Sequence, residues 1–327
     1  MKALVLHEFN TPYQLQQVQK PVAGPGEVLV KIIASGVNPL DLKIIAGQAA
    51  HAKAVLPAIL GIDMAGIVEA VGEDVSAFKP GDEVYGMTGG IAGVQGSLAE
   101  YAAVDADLLA IKPENLKMRE AAALPLIFIT AWEGLVDRAR VRQGKTVLIH
   151  GGAGGVGHVG IQIARAFGAD VFATGSFSDH EQIRSYGATP IDYKSVQVED
   201  YVRKYTDGEG FDIILDTVGG AVLDASFKAA KQYTGHVVSI LGWGTHALAP
   251  LSFKGATYSG VFTLYPLISG KQRKHHGEIL REATKLAEAG KLVPLMNQEY
   301  YTPETISAAY EDILAGRSRG KVIISIQ

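Results

Sequence analysis

The chain has 327 residues, 47% of them hydrophobic, enough to build two cores rather than one. Thirty Lys and Arg against 34 Asp and Glu leave a net charge of −4 without a long basic run, which removes the electrostatic footprint of a nucleic-acid binder. Cysteine is absent, so disulfides, thiolate nucleophiles and cysteine-ligated zinc are excluded.

The opening "MKALVLHEFN" offers only a short apolar run before His7 and Glu8, too little for a secretory signal core. The longest apolar stretch, "AAALPLIFITAW" at 121–132, is broken by Pro125 and is too short to cross a bilayer. The expectation is a soluble cytoplasmic protein with small-molecule partners, no nucleic acid and no membrane. Up to about residue 110 the chain reads as short strands separated by turns: "KALVL", "EVLVKIIASGV", "AGIVEAVG", "GDEVYGM" and "LAEYAAVDADLLAI". Beyond about 120, strands and helices alternate: "TVLIH", "VGIQIARAF", "DVFATG", a helix from about 179, "FDIILDTVG", "AVLDASFKAA" and "HVVSILG". Such alternation predicts a parallel sheet covered by helices. "EILREATKLAEAG" is helical in period. "TPETISAAYEDILAG" starts with Thr302 as cap and Pro303 in first position and ends before Gly316. The closing "KVIISI" is a strand able to return to the first domain. The fold class is α/β, with one domain formed by 1–120 and 267–327 and a nucleotide-binding domain, 121–266, inserted in it.

"HGGAGGVGHVG" at 150–160 holds six glycines in eleven positions. Gly152, Gly154 and Gly157 satisfy G-x-G-x-x-G, with a strand before, a helix after and a second strand about 20 residues on. In that context the glycines allow a tight turn, close approach of a pyrophosphate and packing of the helix on the sheet. The amides around Gly155 and Val156 then face phosphates. An acidic residue ending the second strand would bind an adenine ribose hydroxyl and repel a 2′-phosphate, but this chain reads "FATGSFSDHEQIRSYGA", with Ser176 there. That favours NADPH, with Ser176, Arg184 and Tyr193 as donors. Asp179 reads as a helix-start residue inside a capping box of Ser178 and Glu181.

The segments "SGVNPLDLK" (35–43), "GIDMAGIVEAVGEDVSAFKPGDEVYG" (61–86), "TAWEGL" (130–135), "GGAGGVG" (151–157) and "GRSRGKVIISI" together resemble the medium-chain dehydrogenase/reductases, specifically their zinc-free quinone and enone reductase branch. The resemblance implies a GroES-like β-barrel catalytic domain and a Rossmann doubly wound parallel sheet. It places the zinc ligands of the alcohol dehydrogenases near Asn38, Ile62 and Leu126, which cannot hold Zn²⁺. His275 and His276, beside "KQRK", read as a solvated face rather than a metal site.

By the same resemblance Asn38, Asp41 and Thr130 are catalytic candidates, while turn chemistry and a helix cap are their structural alternatives. Lys43 is a candidate oxyanion donor and His51 an alternative proton donor, because the tyrosines often found after this loop in relatives are missing here. Gly242 and Trp243, in "LGWG", are placed beside the nicotinamide, and Lys321 completes the cofactor set. "GVFTLYPL" is either a core strand or a segment closing over the cofactor and pairing two subunits as a homodimer. Without a Lewis acid, reduction of an activated acceptor is easier than oxidation of an alcohol. The leading expectation is NADPH-dependent reduction of a quinone or an α,β-unsaturated carbonyl. A 2-enoyl thioester reductase, using "KQRKHH" as a basic entrance, and a non-catalytic NADPH-binding protein are the alternatives.

Overall fold

The computed structural model describes residues 1–327. The chain divides into one unit of Met1–Leu126 with Leu264–Gln327 and a second of Ile127–Thr263. The sequence boundaries, 120/121 and 266/267, lie a few residues from these.

The first unit begins with Lys2–Leu6 (β1), Gln14–Gln17 (β2), Glu27–Gly36 (β3), Ala58–Ile59 (β4), Asp63–Val71 (β5), Glu83–Met87 (β6), Tyr101–Asp105 (β7) and Leu109–Ile111 (β8). In β3 the burial of Val28, Val30, Ile32 and Ala34 follows the period of two that sets one face inward. Its pairings with β5 and β7, and that of β5 with β6, are antiparallel. This is an antiparallel, β-rich unit, as the resemblance implies.

The second unit is a parallel sheet of Thr146–His150 (β9), Asp170–Gly175 (β10), Thr189–Asp192 (β11), Ile213–Asp216 (β12), His236–Ser239 (β13) and Thr257–Gly260 (β14), in the order β11-β10-β9-β12-β13-β14. Alternate residues serve opposite faces. Leu148, Ile214 and Val237 pack with Tyr201, Leu223, Phe227 and Leu251 from three helices. Ile149 and Leu215 face the helix Gly155–Ala166, where a Cβ on Gly160 would lie 3.0 Å from Leu215. Strand order reverses beside β9, so the loops after β9 and β12 diverge there, the crevice in which open α/β sheets bind ligands.

The last strand, Ile323–Ser325 (β15), pairs antiparallel with β3, returning the chain to the first unit. Four local readings change. The strand near "GVFTLYPL" is Thr257–Gly260, just upstream, and Tyr265–Ser269 is a helix, as Pro266 near its start permits. Pro303–Thr305 forms a 3₁₀ turn, and the α-helix begins at Ile306. Thr130 lies inside the helix Pro125–Trp132, which runs on into a π-helical segment, so it does not start a helix. His276 is fully buried in the helix Arg273–Glu288 rather than solvated, because it falls on that helix's inner face with Ile279, Leu280 and Ala283.

Candidate functional site

In the second unit, β9 ends at His150 and the glycine loop leads into the helix Gly155–Ala166. The loop is tied down from neighbouring strands. Gly152 N donates to the Thr174 carbonyl (2.8 Å), Gly151 N to Thr174 Oγ1 (3.1 Å), and Thr217 Oγ1 to the His150 carbonyl (2.6 Å).

The glycines separate by what a Cβ would meet. On Gly152 it would lie 2.7 Å from Ala173 Cβ, and on Gly157 2.1 Å from the Gly151 carbonyl oxygen, so the fold itself demands both. On Gly155 the nearest atom is Ile127 Cγ2, at 3.5 Å, an ordinary contact. Gly154 and Gly155 are exposed at the helix N-terminus, and Val156 is half-buried behind them. A helix start with unpaired amides and no side chain in front of them is a cradle for an anion.

Below the loop, His150 is buried, with Nδ1 3.2 Å from Thr174 Oγ1 and Nε2 without a partner. Burial pushes its pKa down to about 4 despite the Asp216 carboxylate nearby, so the ring is neutral. Asp216, fully buried, accepts from Val218 N, Gly219 N and Ser239 Oγ and thereby shapes the turn after β12.

At the end of β10, Ser176 caps the turn that follows. The capping partner is Asp179, whose Oδ2 accepts from Ser176 N (2.9 Å) and Ser176 Oγ (2.5 Å). The Ser178–Glu181 box is therefore corrected: the 3₁₀ turn Phe177–Asp179 starts earlier, and Ser178 Oγ bonds to Ser176 Oγ instead. Tyr193 N donates to the Gly175 carbonyl, which sets residue 193 beside the end of β10; its ring is exposed, as is Arg184. Gly242 and Trp243 are exposed in the segment after β13. Thr130 is buried, its Oγ1 3.1 Å from Thr263 Oγ1, which is 3.0 Å from Glu133 Oε2.

In the first unit, the ladder β15-β3-β5 brings a buried polar cluster together, because Gly36 is in register with both Asp63 and Ile323. A Cβ on Gly36 would lie 2.3 Å from the Ala122 carbonyl oxygen and 3.2 Å from Lys321 Cε, so close backbone packing demands glycine and the lysine stem passes beside it. Lys321 Nζ donates to Asp63 Oδ2 (2.9 Å) and to Asn38 Oδ1, Asn38 Nδ2 donates to the same Asp63 oxygen (2.9 Å), and Leu126 N donates to Asp63 Oδ1 (2.8 Å). Asp41 Oδ2 accepts from Asn38 N (2.8 Å), closing the N-terminus of the helix Pro39–Ile45. Burial pushes the Asp41 carboxyl up to about 7, against the pull of the Asn38 amide and Lys321. Asn38, Asp41 and Lys321 are thus brought together, while Thr130 belongs to the other unit and Lys43 is exposed in the last turn of its helix. His51 is half-buried on the 3₁₀ turn Ala50–Ala52. Sequence reasoning passed over Asp63. The signal was a carboxylate inside the apolar run "GIDMAGIV", which a buried strand tolerates only when it is paired.

Residues 24–114 match the alcohol dehydrogenase GroES-like domain, and residues 186–324 match a domain described as zinc-binding dehydrogenase. The chain is 35% identical, over 99% of its length and 79% of the relative's, to an NADPH-dependent alkenal/one oxidoreductase of Arabidopsis thaliana. It is 31% identical to the quinone oxidoreductase of Homo sapiens, over 99% and 97% of the two chains. The chain belongs to the medium-chain dehydrogenase/reductase superfamily. A solved structure of an alcohol dehydrogenase superfamily protein from Novosphingobium aromaticivorans covers both chains completely at 57% identity with a TM-score of 0.98. Of the positions near which the resemblance places zinc ligands, the Asn38 amide is bound within the Asp63–Lys321 cluster, Ile62 is a buried core residue, and Leu126 donates its backbone N–H to Asp63. No group of three or more His, Cys, Asp or Glu side chains here could hold a metal ion, and no helix is long and apolar enough to cross a membrane.

Proposed function

We propose that this chain is a zinc-independent oxidoreductase that uses NADPH to reduce quinones or α,β-unsaturated carbonyls. The observation that carries the reading is the open, side-chain-free helix start at Gly154–Gly155, where the strand order of a parallel sheet reverses. The bound dinucleotide would supply hydride. The chain's part is to hold the pyrophosphate with the amides of Gly155, Val156 and Gly157 and to present the strand ends, with Gly242 and Trp243, to the nicotinamide.

NADPH over NADH is supported by Ser176 at the end of β10, by the exposed Arg184, Tyr193 and Lys194 as phosphate donors, and by the printed name of the Arabidopsis relative. Asp179 spends one carboxylate oxygen on Ser176 rather than offering it to a ribose. Its charge still opposes a 2′-phosphate, so Asp179→Ser should raise NADPH affinity and leave NADH unchanged.

Asn38, Asp41, Lys43 and Thr130 stay in the proposal with divided roles. Asn38 and Asp41 hold the polar cluster, exposed Lys43 is the oxyanion donor, and Thr130 shares a hydroxyl network with Thr263 and Glu133. Edge strand β14 leaves one row of backbone groups unpaired beside exposed Tyr258 and Phe262, which supports a homodimer joined at that edge. A cytoplasmic location goes with the reading and is checked by cell fractionation.

Of the basic entrance that the thioester alternative calls for, Arg273 is paired with Asp105 and His276 is buried, which leaves Lys271 and Lys274 exposed to serve it. The test is NADPH oxidation, compared with NADH, over quinones, enals, enones and enoyl thioesters. Dinucleotide binding without turnover on the whole panel would overturn the enzymatic reading, and preference for NADH would overturn the cofactor assignment.

A further inference from the structure

The segment 241–248, after β13, carries Trp243 and is held at three points. Leu241 N donates to Ser239 Oγ (3.1 Å), and Gly242 packs so closely under Tyr258 that a Cβ there would lie 2.3 Å from the tyrosine oxygen. The third point is His246. Its Nδ1 lies 2.9 Å from an Asp224 carboxylate oxygen and its Nε2 3.2 Å from the Trp243 carbonyl, with Phe227 edge-on to the ring at 6.4 Å. Both partners are acceptors only, and a neutral imidazole owns a single N–H. The full contact set exists only when both ring nitrogens carry a proton.

We propose that His246 is a positioning residue whose doubly protonated form clamps the Trp243 segment in the shape that receives the dinucleotide. The ligand part of this rests on the NADPH reading; the clamp itself does not. The charged groups around the ring are Asp224, with Lys228 one turn along the same helix (Ala221–Ala229), and Asp216 at the end of β12; Tyr258 is the titratable group on the β14 side. The hydrogen bond to Asp224, then that to the Trp243 carbonyl, and the charges of Asp224 and Asp216 raise the His246 pKa above the ordinary histidine value. The clamp is complete below that ordinary value and is lost as pH rises through the raised one.

Trp243 reports on this directly, because the only other tryptophan, Trp132, is buried between Phe128 and Phe167. Without ligand, the Trp243 emission should titrate with a single midpoint above the ordinary histidine range. The titration should be absent in His246→Gln and shifted downward in Asp224→Asn. Imidazole NMR signals of the unchanged protein, assigned by their loss in a second variant, His246→Asn, read the same midpoint should His246→Gln or Asp224→Asn fold poorly. Emission that is flat with pH, or an identical titration in His246→Gln, would overturn the clamp. The ratio of NADPH dissociation constants between His246→Gln and the unchanged protein should be about three- to tenfold at pH 6 and near one at pH 10, the effect of one lost hydrogen bond. Taking the ratio cancels titration of the ligand's own phosphate. A ratio that stays constant with pH would overturn the positioning role while leaving NADPH binding intact. No binding in either protein would instead overturn the NADPH reading, and the positioning role with it, while the Trp243 titration still stands for the clamp.

Discussion

Substituting single glycines of the loop by alanine separates what the fold needs from what a ligand needs. In Gly155→Ala the new methyl meets nothing closer than Ile127 Cγ2 at 3.5 Å, and the residue already begins a helix, where alanine is the better former by up to about 1 kcal/mol. Stability should therefore be unchanged or slightly raised. On the proposed reading the pyrophosphate approaches the helix amides at this residue, and the methyl is added to that approach. Losing one charge-assisted hydrogen bond there costs about 1.5–3 kcal/mol, a weakening of NADPH binding by about 10- to 100-fold. In Gly157→Ala the methyl would lie 2.1 Å from the Gly151 carbonyl oxygen, backbone that cannot rotate aside, so this variant should lose about 3 kcal/mol or more and show a lower Tm. The assay pairs thermal or denaturant unfolding with calorimetric titration of NADPH on each variant. A Gly155→Ala protein that is stable and binds NADPH with unchanged affinity would refute the assignment of the helix start to the ligand. A destabilised Gly155→Ala protein would refute the steric reasoning.

The buried Asp63–Lys321 pair should respond asymmetrically. Asp63→Asn or Lys321→Met alone leaves an unmatched buried group and should cost about 3–5 kcal/mol, whereas the combined Asp63→Leu, Lys321→Met should cost less than the sum of the two but still destabilise, because Asn38 Nδ2 and Leu126 N lose their acceptor, read by denaturant unfolding of the four proteins. Two buried groups should oppose each other in the pH dependence of stability. Asp41, raised to about 7, keeps its proton in the native state between pH 4 and 7 while the unfolded chain releases it, so its contribution falls as pH rises through that window. His150, lowered to about 4, stays neutral while the unfolded chain takes up a proton below its ordinary value, so its contribution rises over roughly the same window. Asp41→Asn should therefore tilt stability upward with pH between 4 and 6.5, and His150→Gln downward; parallel slopes in the two variants would contradict both assignments. At the sheet edge, Phe262→Lys, which places a charge on the exposed side chain beside β14, should shift the protein toward monomer in sedimentation, with no change in secondary structure.

What the sequence by itself determined was everything carried by local period and by glycine. The alternation of strands and helices after residue 120 announced the parallel sheet, and G-x-G-x-x-G between "TVLIH" and "VGIQIARAF" located the helix start, because both signals are written within a few consecutive residues. Composition settled the absence of cysteine ligands in the same way. Contacts between residues far apart in the chain were decided only by the tertiary structure. Asn38, Asp63 and Lys321 meet because two ladder registers converge on Gly36, and no local pattern encodes that convergence. The charged neighbours of His276 suggest a solvated face, whereas its position on the inner face of the helix buries it. The capping partner of Ser176 turned on where the turn begins: Asp179 and Glu181 both stand three residues beyond a serine, and backbone geometry chose the first. His246 gave no sequence signal, since its two acceptors come from a helix 22 residues earlier and from its own loop's carbonyl, and the fold supplies both.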